Sequence, residues 1–185
     1  MNKTNSKNEH RRSAQSPAGY LITFTCYGTW LHGESPSSVD KQHNNPGDPF
    51  LQPNLLRAEH LSTTLKYEPL ILNKQLRETV LEAIIETCRR HERRLYAVHV
   101  RTEHVHIVVQ TNETPEHFMS GIKTAATREL KNSGVIRQNG CYWTRHGSTK
   151  YLWSVAEVEA ATIYVIYDQG DPMALYVDSN IKCVT

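Results

Sequence analysis

The 185-residue sequence predicts an α+β fold of the ferredoxin-like, or split βαβ, type. Three observations predict it. Four short runs rich in β-branched and aromatic residues alternate with two stretches of helical spacing in the order β-α-β-β-α-β. That order builds an antiparallel sheet with two helices on one face. A further amphipathic stretch follows the fourth strand and opens on a capping box, so the sheet carries an additional C-terminal helix. The length suits one domain with a good core.

Taken in order, residues 1–17 are polar, with Lys3, Lys7, Arg11 and Arg12, and read as a disordered basic tail. Residues 18–185 then form the single domain. Tyr20–Cys26 is the first strand, aromatic and β-branched. From Tyr27 to about Glu59 the pattern dissolves among Gly28, Gly33, Pro36, Pro46, Gly47, Pro49 and Pro53. A loop this long inside a domain is functional or disordered. Its Tyr27, Trp30, His32 and Lys41 suit bases and phosphates, and suit equally a role as anchors.

Asn73 is a fair N-cap for a helix running to about Arg94, with Leu76, Val80, Ala83, Ile84 and Thr87 at helical spacing. Leu95–Val100 is the second strand, and Arg101-Thr102-Glu103 a tight connection to the third. Pro115 opens the second helix, which runs to about Lys131 with Phe118, Ile122, Ala125, Ala126 and Leu130 inward. Lys123, Thr127, Arg128 and Lys131 make a polar stripe on it that could follow a phosphate backbone or simply face water. A connection carrying Trp143, Arg145 and His146 leads to a short strand over Ser148–Trp153. Ser154-Val155-Ala156-Glu157 is the capping box, and its helix runs through Tyr164 to about Asp168, with Gly170 at the exit. The remainder, with Pro172 and Tyr176, is too short for a second domain.

The third strand holds the most informative stretch, Thr102-Glu103-His104-Val105-His106-Ile107-Val108-Val109-Gln110. Side chains alternate along a strand, so His104 and His106 share one face and Val105, Ile107 and Val109 the other. Two imidazoles on one face of a rigid strand are half a metal site, although a lone HxH also recurs by chance. Two helices occupy one side of such a sheet. The other side is expected to be open, with the histidines directed there. On the last helix Tyr164, Asp168 and Gln169 are candidates to complete the site, Tyr164 and Asp168 sharing a helix face at four-residue spacing. A tyrosine beside a metal-held phosphate is a competent nucleophile for phosphodiester transfer. Its phenol titrates near ~10 and needs a base or cation to ionise. Tyr151, Tyr167 and Tyr176 are rival nucleophiles that rank behind Tyr164.

Bulk properties exclude other classes. Net charge is only +2, so charge by itself does not imply nucleic acid. The four cysteines are scattered and no CxxC occurs, which argues against a zinc ribbon or a thioredoxin-type site. Free thiols fit a reducing cytoplasm. No run is long and apolar enough for a membrane span, and no signal-peptide pattern follows the basic start. A histidine-triad phosphoesterase needs H-x-H-x-H, and here the third position is Val108.

These residues carry a resemblance. Thr102–Val109 resembles the histidine–hydrophobe–histidine signature of the HUH single-tyrosine transposases, which comprise the small insertion-sequence transposases and the REP-associated tyrosine transposases. The family's usual Pro-Asn before the first histidine is Thr102-Glu103 here. Thr25-Cys26-Tyr27-Gly28-Thr29-Trp30-Leu31-His32-Gly33, the stretch Trp143–Trp153 and Tyr164-Val165-Ile166-Tyr167-Asp168-Gln169-Gly170 resemble one branch of it, in the right order over residues 20–170. The resemblance implies that His104 and His106 bind Mg²⁺ or Mn²⁺. It implies that Tyr164 attacks single-stranded or hairpin DNA, leaving a 5′-phosphotyrosine and a free 3′-OH. In many relatives a glutamine four residues after the tyrosine completes the metal site. Here that position is Asp168, and Gln169 follows one later. Helical geometry favours Asp168 and the family's habit favours Gln169, so both are candidates. Lys123, Arg128, Lys131, Arg145 and Trp30 are candidate DNA contacts. Relatives occur as monomers and as dimers that exchange the tyrosine helix, so a homodimer is one expectation. The implied location is the bacterial cytoplasm, at the nucleoid when acting. The alternative is a domesticated, non-catalytic binder of hairpin DNA or RNA on the same fold.

Overall fold

Residues 16–29, 63–134 and 140–180 are described by the computed structural model. Within them the order is β1 (Gly19–Thr25), α1 (Lys74–Arg90), β2 (Arg94–Val100), β3 (His104–Gln110), α2 (Pro115–Asn132), β4 (Ser148–Leu152), α3 (Val155–Tyr167) and β5 (Ala174–Val177). The strands form one sheet in the order β4-β1-β3-β2-β5, every pairing antiparallel. The first four strands have the expected split βαβ arrangement. The fifth is an addition: the short tail beyond α3 returns to the sheet and pairs with β2. Trp30, His32 and Lys41 lie outside the described residues, as do most of the 27–59 segment and most of the basic tail.

Local chemistry explains the helix limits. The Asn73 side chain accepts from the Leu76 amide and caps α1. α1 ends at Arg90 rather than near Arg94, because Glu92 takes a positive φ of 51° and turns the chain, so that Arg94 opens β2. Thr114 caps α2, with Pro115 in its first turn. The capping box of α3 forms: Ser154 Oγ accepts from the Glu157 amide at 3.2 Å, and Glu157 accepts from the Trp153 amide at 2.8 Å.

Side-chain alternation divides the sheet into two faces. Ile22, Phe24, Val98, Val100, Val105, Ile107 and Val109 are fully buried against α1 and α2, in one core with Leu76, Val80, Ile84, Phe118, Ile122 and Leu130. Thr87 and Ala125, expected inward, are only partly buried. The opposite face is not open as expected. α3 lies on it, and Ala97, Val108 and Leu152 pack with Val158, Ala161, Val165 and Ile166 into a second, smaller core. The reason lies in the strands. On the histidine face Ala97 and Val108 are apolar, while Thr23, His99, His104 and His106 are polar. That face is therefore half core and half site. Burying an aliphatic side chain is worth roughly 1.5–3 kcal/mol, so the apolar half is enough to seat one helix. Among the described residues no helix is long and apolar enough to cross a membrane.

Candidate metal and nucleophile site

The sheet register builds the site. On β3, His104 lies opposite Thr25 of β1, and His106 lies between Thr23 of β1 and His99 of β2. The two imidazoles stand edge to face, 4.8 Å between centroids. His106 is 4% exposed, and its Nδ1 is 2.7 Å from the Thr23 hydroxyl. The side chain of Gln169 lies near enough to the His106 ring to act on its titration. Burial pushes the pKa of His106 down to about 3, with the neighbouring His104 and His99 adding to the shift and Gln169 opposing it. His104 falls to about 4, again by burial first, then by the positive charge of Arg101 and by its repulsion from a second proton on His99. Both rings are thus neutral at neutral pH, the form in which imidazole binds a metal.

Tyr164 completes the cluster. It lies near the C-terminal end of α3, 40% exposed, with its ring edge-on to His106 at 5.8 Å between centroids. Tyr167 is more exposed, at 59%. Tyr151 packs against Tyr20 and Trp153 at the β4 edge, and Tyr176 packs against the core under α1 and α2, on the opposite face from the histidines.

The choice between Asp168 and Gln169 turns on how α3 ends. The last helical residue is Tyr167, the Asp168 amide donates to the Tyr164 carbonyl at 3.1 Å, and Gly170 takes a φ of 73°. Counting at helical spacing stops being valid there. Asp168 is left exposed, while Gln169 turns back toward α3, with its Nε2 3.3 Å from the Tyr164 carbonyl and its side chain near enough to His106 to raise that ring's pKa. Among the described residues no three His, Cys, Asp or Glu side chains group as a metal site. Of the two candidates for a third donor, the Gln169 carboxamide is the less exposed and Asp168 the more exposed. Two neutral imidazoles and an amide oxygen fit a divalent cation that keeps part of its water shell.

The candidate DNA contacts are dispersed. The Lys123 ammonium, with its pKa lowered to about 8 by burial, donates to the carbonyls of Thr144 and His146 at 2.9 and 3.0 Å. It thereby fixes the stretch that leads into β4. The Thr144 hydroxyl is 3.0 Å from that of Thr25, so this stretch forms a rim beside His104, and Arg145 stands exposed on it. The rim is tight: a Cβ on Gly147 would come within 2.5 Å of the Thr23 carbonyl oxygen. Arg128 pairs with Glu129, and Lys131 lies over the Tyr142 ring, both on α2 and so behind the sheet. Trp30 is outside the described residues. Sequence reasoning passed over Thr23, His99 and Arg101. Each joins the site through cross-strand register or the β2–β3 turn, which a linear pattern does not display.

A family model described as "Transposase IS200 like" matches residues 57–166, a span that contains both histidines and Tyr164. A solved structure described as "Structure of the REP associates tyrosine transposase bound to a REP hairpin" is similar at 11% identity and a TM-score of 0.46, covering 83% of this chain and 67% of that one. No curated protein matches. Since the matched span is more than half of the chain, the protein belongs to the IS200-like family of transposases.

Proposed function

We propose that this transposase is a divalent-metal-dependent nuclease and strand-transferase that cleaves and rejoins single-stranded or hairpin DNA through Tyr164. The observation that carries the reading is the edge-on contact between the Tyr164 ring and His106 within one chain. His104, His106 and Gln169 would hold the cation, Mg²⁺ or Mn²⁺, with exposed Asp168 the less suitable third donor. Bound there, the cation would polarise the scissile phosphate and offset the charge that develops on it.

In the first step the Tyr164 phenol loses its proton and its oxygen attacks phosphorus. The bond from phosphorus to the 3′ oxygen breaks, and that oxygen takes a proton to become a free 3′-OH. The 5′ end stays on the protein as a phosphotyrosine. Rejoining is the reverse, with a 3′-OH attacking and the phenol leaving. A phosphotyrosine conserves the bond for rejoining, whereas attack by water would lose it. Thr23 orients His106, and Gln169 folds back onto the Tyr164 carbonyl at the end of α3, beside the same ring. Arg145, on the rim beside His104, suits the flanking phosphates. Lys123 serves DNA indirectly, by fixing that rim. Arg128 and Lys131, behind the sheet, suit only a longer duplex arm. Tyr164 acts on the histidines of its own chain, so the site is complete with or without a second copy.

The test is incubation of the full chain with labelled hairpin DNA and Mn²⁺. A denaturant-resistant protein–DNA adduct is expected in the wild type and in Tyr167→Phe, and none in Tyr164→Phe. An adduct that survives Tyr164→Phe and vanishes in Tyr167→Phe would refute the assignment. Tight hairpin binding with no adduct under any divalent ion would favour the non-catalytic binder.

A further inference from the structure

His99 is fully buried on the site face of β2, directly across from His106, and is not among the groups that hold the cation or attack phosphorus. Both of its ring nitrogens are engaged by main chain. Nδ1 lies 3.0 Å from the carbonyl oxygen of Val165, in the last turn of α3. A carbonyl only accepts, so Nδ1 carries the proton and donates. Nε2 lies 3.1 Å from the Met173 amide nitrogen, which donates to it. The ring is therefore the neutral Nδ1–H tautomer. Few side chains could satisfy one carbonyl and one amide at once across this span.

The two anchored groups bracket the functional end of α3. Val165 directly follows Tyr164, and Met173 closes the segment that contains Gln169. Arg101 supports the same segment, its Nη1 donating to the Asp171 carbonyl at 2.5 Å. Beyond Met173, β5 pairs with β2, with Leu175 opposite His99. The carbonyls of a helix's last turn lack partners within the helix and accept whatever donor is supplied. Here the donor comes from the sheet itself. The ring that meets α3 is thus carried by the strand next to the metal-binding histidines.

We propose that His99 is a positioning residue: by gripping Val165 and Met173 from the strand beside His106, it sets the placement of Tyr164 and Gln169 over the histidine pair. This rests on the reading of Tyr164 as nucleophile, and the test separates the two. His99→Leu removes both hydrogen bonds and keeps an apolar side chain of similar bulk. His99→Asn restores a donor near the Nδ1 position.

Two measurements are made on the full chain: amide hydrogen exchange, and the single-turnover rate of adduct formation with hairpin DNA and Mn²⁺. In His99→Leu the Met173 amide is expected to exchange roughly 10-fold faster, with the central β3 amides unchanged. Adduct formation is expected to slow roughly 10- to 100-fold, because small displacements of a reacting group cost that much. His99→Asn should form adduct faster than His99→Leu while being no more stable. A residue that only fills the core would give the opposite ranking, since leucine is the better core side chain. Unchanged exchange at Met173, or wild-type adduct formation in His99→Leu, overturns the proposal. If the wild type forms no adduct, the nucleophile reading fails, and the exchange at Met173 alone decides whether His99 holds this segment.

Discussion

The hydroxyl of Thr23 engages Nδ1 of His106 at 2.7 Å and so leaves Nε2 as the nitrogen open to a ligand. When Nδ1–H donates to Thr23 Oγ1, Nε2 keeps its lone pair for a cation. Thr23→Val keeps the shape and removes the hydroxyl. Its expected effect is a loss of Mn²⁺ affinity on the order of 10- to 100-fold, read by titration calorimetry, with the fold intact. Unchanged affinity would mean that this contact does not orient the ring. The histidine pair itself was legible from spacing, because period-two alternation places two side chains on one face whatever the neighbours are. Thr23 and His99 were not legible, because they become partners only when β1 and β2 align with β3. Nor could counting along α3 choose between Asp168 and Gln169. The helix stops at Tyr167, and beyond it Gly170 redirects the chain.

Among the elements, α3 does two jobs, and only one was visible beforehand. Its capping box and its tyrosine were plain in the sequence. Its role as the lid over an apolar half-face was not, because that depends on Ala97 and Val108 sharing a face with the histidines. β5 was also hidden: Ala174–Val177 is four residues long, and it becomes a strand by pairing with the edge of β2. The overshoot at the end of α1 has a similar cause, since neither Gly nor Pro marks the turn at Glu92. The core beneath α3 is small, so truncating it should be costly. Leu152 is 1% exposed in that cluster, and Leu152→Ala is expected to lower unfolding free energy by about 2–5 kcal/mol in urea titration. A loss well under 1 kcal/mol would show that α3 is held by something other than this contact.

At the scale of the whole molecule, the sheet supports its site by burying His99 and His106 and half-burying His104, all in neutral form. His99, His104 and His106 all have pKa values lowered mainly by burial. Protons therefore bind the unfolded chain in preference. In chelator, stability from these groups is complete above the unfolded pKa of about 6.5 and is lost as pH falls through about 4 and about 3. Thermal melts should show this decline, on the order of 3 kcal/mol by pH 4 for His106 alone. A melting temperature in chelator that stays level from pH 6.5 to 4 would contradict it.

A cation held by His104 and His106 would lie within reach of the Tyr164 phenol, and that reach is what the proposed chemistry requires. Paramagnetic broadening by Mn²⁺ tests it without any DNA, in NMR spectra of side-chain-labelled protein. Substoichiometric Mn²⁺ should erase the signals of His104, His106, Gln169 and the Tyr164 ring first, leaving Tyr151 and Tyr176 sharp. Persistence of the Tyr164 signal while the histidines vanish, or broadening centred away from the histidine pair, would contradict it.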